Sequence, residues 1–107
     1  MSLIKEKALK DLEHIDEEHR LPIIKIFLLQ YDERYWEEFV SAIQVFKYEY
    51  EYRQFLFDDW CEVMNVPQNV EWYLDEKAVV DAQLMQYSVE EFICEDGFTY
   101  YLVWRCF

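Results

Sequence analysis

A chain of 107 residues has the length of one folded domain, and a 53% hydrophobic share with 20% aromatic residues supplies a core and argues against disorder. Its 23 acidic and ten basic side chains leave a net charge of −13, a field that repels nucleic acid and anionic membrane and attracts cationic surfaces. Residues 1–64 hold 15 acids and 8 bases and residues 65–107 hold 8 and 2, so the deficit is not one detachable acidic tail.

The opening MSLIKEKALKDLE is charged throughout, unlike a signal peptide. Ser2 can cap a helix in which Ile4, Ala8, Leu12 and Ile15 recur at helical spacing. Glu13, Asp16, Glu17 and Glu18 crowd its far end against the helix dipole, which predicts a turn near His19 and places Pro22 in the first turn of a second helix. In PIIKIFLLQY, residues 22–31, the stripe Ile24, Phe27, Leu28 and Tyr31 reads as helix, although the β-branched run also suits a buried strand. DERYWEEFVSAIQVF continues as helix, with Trp36, Phe39, Val40, Ile43 and Phe46 on one side.

KYEYEYRQFLFDDW, residues 47–60, alternates tyrosine and charge as a strand would, but the alternation fails at Gln54. Phe39, Ile43, Phe46, Tyr50, Phe57, Trp60 and Met64 step by fours and threes, interrupted only where Arg53 takes a seat, so length favours one helix from Phe39 to Met64. Glu49 and Arg53 then fall inside the apolar stripe as an i, i+4 pair, partly buried or, if the helix breaks there, released; a charged pair lining a pocket is the functional reading. Tyr48, Tyr52 and Phe55 follow a margin of that helix with Glu51, Asp58 and Asp59 beside them. Large aromatic anchors among carboxylates have the make-up of a protein-binding surface, and these six are the candidate partner-binding residues.

Beyond Met64, the Asn and Pro of NVPQN end the helical half. VEWYL reads as a short strand. DEKAVVDAQLMQY stays open between a helix on Ala78, Ala82, Met85 and Val89 and a strand on Val80, Ala82 and Leu84. EEFICEDGFTYYLVWRCF is a hairpin; Asp96-Gly97 as its two-residue turn pairs Glu95 with Phe98, Ile93 with Tyr100 and Val89 with Trp104, and sets Arg105 diagonal to Glu90. The expected fold is α+β: one domain over 1–107, with a helical half at about 2–64 packed on a small antiparallel sheet from about 70–107.

Catalytic chemistry finds little purchase. His14 and His19 stand five apart, roughly 140° around a helix, so they do not converge on a metal. Cys61, Cys94 and Cys106 form no C-x-x-C pair and read as reduced thiols of a cytoplasmic protein. A single glycine leaves no phosphate-cradling loop, and the uncharged stretch GFTYYLVW is far short of the ~20 residues of a membrane span. No catalytic residue, metal or cofactor is expected, and the chain does not read as an enzyme.

The expectation that remains is an acidic protein-interaction module. Inhibitors, immunity proteins and DNA mimics are of this physical kind: carboxylates take the place of phosphates on the basic surface of a nucleic-acid-acting partner such as a nuclease, without contacting nucleic acid directly. Two other readings stand beside it: a structural or regulatory subunit that closes a homo- or hetero-oligomer through its aromatic residues, and a small-ligand-binding protein with a pocket near Glu49, Arg53 or Trp104.

Overall fold

The computed structural model describes the backbone of residues 2–106 and the side chains of residues 7–106. The expected Ser2 cap and the Ile4 side chain lie outside the described residues. Helix α1 (Ser2–Asp11) is followed by α2 (Glu17–Gln30), a 3₁₀ turn at Glu33–Tyr35, α3 (Trp36–Ala42), β1 (Gln44–Phe46) and α4 (Glu49–Val63). Then come α5 (Gln68–Glu71), α6 (Glu76–Gln83), β2 (Tyr87–Ile93) and β3 (Thr99–Arg105). The fold is α+β, with three antiparallel strands in the order β1-β3-β2.

Chain charges find their places once the helix boundaries are known. Glu17 and Glu18 do not end the first helix; they occupy the first turn of α2, where the dipole favours anions. The carbonyls left free behind α1 are taken by Arg20, whose Nε donates to Ile15 O at 2.9 Å and whose Nη2 donates to Glu13 O at 3.2 Å. Helix α2 is longer at its start than expected, so Pro22 sits inside it and not in its first turn. Proline has no N–H to give the Glu18 carbonyl four residues back, and the Cys94 thiol donates to that oxygen instead, at 3.7 Å. The buried face is His19, Ile23, Ile24 and Phe27, while Leu28, expected in the stripe, is exposed.

The single helix expected from Phe39 to Met64 is two helices with a strand between them. Gln44–Phe46 pairs with Val103–Tyr101 of β3, so a sheet neighbour supplies the hydrogen bonds that helix continuation would have supplied. Ile43 and Val45 are β-branched and suit the extended form. Residues 44–46, expected as helix, are therefore strand, and the alternation from Glu49 on is helix surface. VEWYL, expected as a strand, is the end of α5 and a turn. DEKAVVDAQ is helix, started by Asp75 accepting from Ala78 N at 3.2 Å, and it buries Val79, Val80 and Gln83, not Ala78 and Ala82.

The hairpin forms with its register moved by one residue. Cys94 N donates to Phe98 O at 3.1 Å, the loop is Glu95-Asp96-Gly97, and within that loop only Gly97 takes a positive φ, +85°. Phe92 therefore opposes Tyr100, and Ser88 opposes Trp104. A one-residue shift exchanges faces: Phe92 is buried opposite Tyr100, the place the expected register gives to Ile93, and Ile93 is exposed. Arg105 donates to Gln86 Oε1 at 3.3 Å, and Glu90 accepts from Gln30 instead of pairing with Arg105.

Strand β3 is central and buried on both faces, with Leu102, Val103 and Trp104 at 0% exposure. Phe92, Leu102 and Trp104 pack with Leu12, Ile23, Phe27 and Phe39 from α1–α3 and their connections. Val103 faces the other way, onto Leu56, Phe57, Val79 and Val80 from α4 and α6. Helices thus cover both faces of the sheet, where the sequence reading placed a helical half on one.

Candidate interaction surface

The six residues expected to meet a partner divide in the structure. Tyr48 is exposed and stacks on Tyr50, with ring centroids 5.6 Å apart and planes 14° apart. Asp58 is exposed and accepts from Gln54 at 2.8 Å. Glu51 starts α4: its carboxylate accepts from Tyr48 N at 3.1 Å, while its own N–H donates to Tyr48 O. Tyr52 is buried, with its ring 5.3 Å from that of Tyr101. Burial first, and then the Glu49 charge, push its hydroxyl pKa above the ordinary value. Phe55 is half-buried between Phe46 and Tyr87. Asp59 is half-buried too, accepting from Gln83 Nε2 at 3.2 Å and from Tyr87 OH at 3.0 Å, so it ties α4 to α6 and β2. Burial and then the bond to Asp59 raise the Tyr87 pKa.

Tyr50, Gln54 and Asp58 succeed one another every fourth residue on the solvent stripe of α4. That stripe borders a groove of about 390 Å³ lined by Gln54, Phe57, Glu71, Trp72, Leu74 and Glu76. Trp72 and Tyr73 are each 88% exposed. Between Pro67 and the Asp75 cap the chain makes only one short helix and a turn, which leaves these two rings without a core to enter. A strand over VEWYL, the expectation from sequence, gives these rings no special role. Two adjacent large aromatics flanked by Glu71 and Asp75-Glu76, immediately after a Pro-containing break, were the available signal.

Charge is unevenly divided between the two helical layers. Residues 49–83, spanning α4–α6, carry nine carboxylates against Arg53 and Lys77, whereas residues 2–42, spanning α1–α3, carry ten against six cations. Lys77 lies 3.9 Å from Asp81, its i, i+4 neighbour. The Cys61 thiol senses the excess: burial first, then the Glu71 and Asp58 charges, raise its pKa. Glu49 is exposed, Arg53 is half-buried beside Tyr52, and among the described residues no ion pair joins them.

Cys94, like Cys61, is buried and holds its proton more tightly than an ordinary thiol, because of burial and then Asp96. Among the described residues no group of three or more His, Cys, Asp or Glu could hold a metal ion, and no helix is long and apolar enough to cross a membrane. His19 is buried against the Phe92 and Tyr100 rings, at 5.6 and 4.3 Å between centroids, with Nε2 unpartnered. No protein-family model, curated protein or solved structure matches the chain.

Proposed function

We propose that this chain is an acidic interaction module that docks a cationic surface of another protein through its α4–α6 layer. One observation carries the reading: Trp72 and Tyr73, each 88% exposed, stand between Glu71 and the Asp75-Glu76 pair on the more anionic of the two layers. Removing a ring of that size from water is worth on the order of 4 kcal/mol before the cost of association is subtracted. The carboxylates set the sign of the partner, engage Lys and Arg by charge-assisted bonds and accelerate encounter. A protein that acts on nucleic acid presents the kind of surface this layer would cover, since its basic groove is built for phosphates. Inhibition, immunity and DNA mimicry are the corresponding roles.

The test uses the full chain with a photo-crosslinking amino acid at Tyr73, followed by purification of the captured protein and binding kinetics against salt. Trp72→Ala is expected to raise the off-rate at least tenfold, and Asp58→Asn with Glu76→Gln to lower the on-rate and flatten its salt dependence. Wild-type kinetics in both variants would reject this surface. Trp72→Ala is expected to leave folding stability within about 0.5 kcal/mol, whereas Tyr52→Ala, which empties a core position, costs about 3 kcal/mol by urea denaturation.

A further inference from the structure

Strand β2 pairs with β3 along one side only, because the sheet order is β1-β3-β2. Which of its backbone groups are free follows from the ladder. Cys94 N donates to Phe98 O and Cys106 N donates to Gln86 O, and residue pairs alternate between bonded and non-bonded in an antiparallel ladder. Ser88, Glu90 and Phe92 therefore exchange bonds with β3. The N–H and C=O groups of Tyr87, Val89, Glu91 and Ile93 point to the outer edge. Seven residues is long for an edge strand, and β2 contains neither proline nor lysine to discourage a neighbour.

Its protection is negative charge alone. Antiparallel pairing of β2 with a second copy near the centre of the strand sets Glu90 opposite Glu90 or, one step along, Glu91 opposite Glu91, and like charges directly opposed are destabilising. The same carboxylates favour an incoming strand that carries Lys or Arg. At the end of β2 a groove of about 470 Å³ lies between the start of α2 and the hairpin, and its lining includes Glu17, Glu18, Leu21, Ile93, Cys94 and Glu95. Three carboxylates around exposed Leu21 and Ile93 match a side chain with an aliphatic stem and a cationic head. Among the described residues no cation lines this groove, and the nearby Arg20 donates to the carbonyls of Glu13 and Ile15.

We infer that the β2 edge accepts an extended cationic segment of another protein as a fourth strand, with one Lys or Arg side chain seated in the groove beside Glu17, Glu18 and Glu95. Backbone bonds to Val89, Glu91 and Ile93 supply affinity and the carboxylates choose the sign. This edge is separate from the α4–α6 surface and does not depend on Trp72.

The probe is a synthetic eight-residue peptide of alternating lysine and valine, with alternating glutamate and valine as its counterpart, titrated into the full-length isotope-labelled chain. The lysine peptide is expected to slow hydrogen exchange at the amides of Tyr87, Val89, Glu91 and Ile93 at least fivefold, with affinity falling as salt rises. Glu91→Pro removes an outward N–H without touching the β3 ladder and should abolish that protection. Glu91→Gln with Glu95→Gln, which leaves the backbone intact, should weaken binding about tenfold and guards against a misfolded proline variant. Equal binding of the glutamate peptide overturns the inference. So does protection confined to α4–α6, or sedimentation of the chain alone as a dimer whose β2 amides are already protected. Binding that survives Trp72→Ala separates this edge from the surface proposed above.

Discussion

Asp96 performs two tasks with one carboxylate. Its Oδ1 accepts from Phe98 N at 2.9 Å, closing the hairpin loop, and its Oδ2 accepts from Tyr100 OH at 2.6 Å. The phenol must stay protonated to donate, so its pKa is pushed up from 10.0 to about 12, with the bond to Asp96 as the first cause and burial as the second. The carboxyl moves the other way, below its ordinary 3.8, chiefly through the Tyr100 bond and then the Phe98 N–H. The stabilisation from Tyr100 is complete below pH 10 and is lost as pH rises from 10 to about 12. That from Asp96 is present above pH 3.8 and is lost as pH falls further, through the lowered value. Carbon-13 NMR of labelled tyrosine should place the Tyr100 midpoint near 12 in the native chain and return it toward 10 in Asp96→Ala; an unmoved midpoint would dissociate the two groups.

At the scale of elements, the sequence was most readable where local signals sufficed. Most of the segment read at 22–31 is helix, within α2, and the later part of the 39–64 reading is α4, although Leu28, Tyr50 and Met64 of the expected apolar stripes are exposed; the Asp-Gly hairpin follows from turn chemistry. What it did not reveal were choices between locally equal options. A two-residue turn and a three-residue loop both use Gly97, and the pattern around it allows either. Burying Phe92 in place of Ile93 decides between them. Ser41 to Phe46 contains no glycine or proline, so nothing local announces that α3 stops; pairing with β3 stops it. The candidate site suffered from the same error, since a continuous helix put Tyr52 on a margin, whereas the helix that starts at Glu49 turns it into the core. Pro22 offers a direct measurement at this scale. Pro22→Ala restores the helical bond to Glu18 O at the expense of the Cys94 contact, and urea denaturation should find the chain more stable by about 2 kcal/mol. A loss of stability would mean that the thiol contact and the ring's packing outweigh the missing bond.

For the molecule as a whole, the sheet divides two cores, and neighbouring residues of one strand serve both. Trp104 packs against Phe39 at 5.3 Å between ring centroids and donates Nε1 to Tyr31 OH at 3.0 Å, while Val103 belongs to the cluster around Leu56 and Val80. Both substitutions, Trp104→Ala at about 3–5 kcal/mol and Val103→Ala at about 2 kcal/mol, should destabilise in calorimetry. A sheet covered on one face only would leave the valine variant almost neutral. Length, acidity, helix-forming segments and the terminal hairpin were determined by the sequence itself, because charge is additive and helix and turn preferences act over a few residues. The end of α3, the hairpin register, the covering of both sheet faces and the exposure of Trp72 belong to the tertiary structure. Each depends on which distant segment satisfies a backbone bond or removes a side chain from water, and no local window of residues contains that partner.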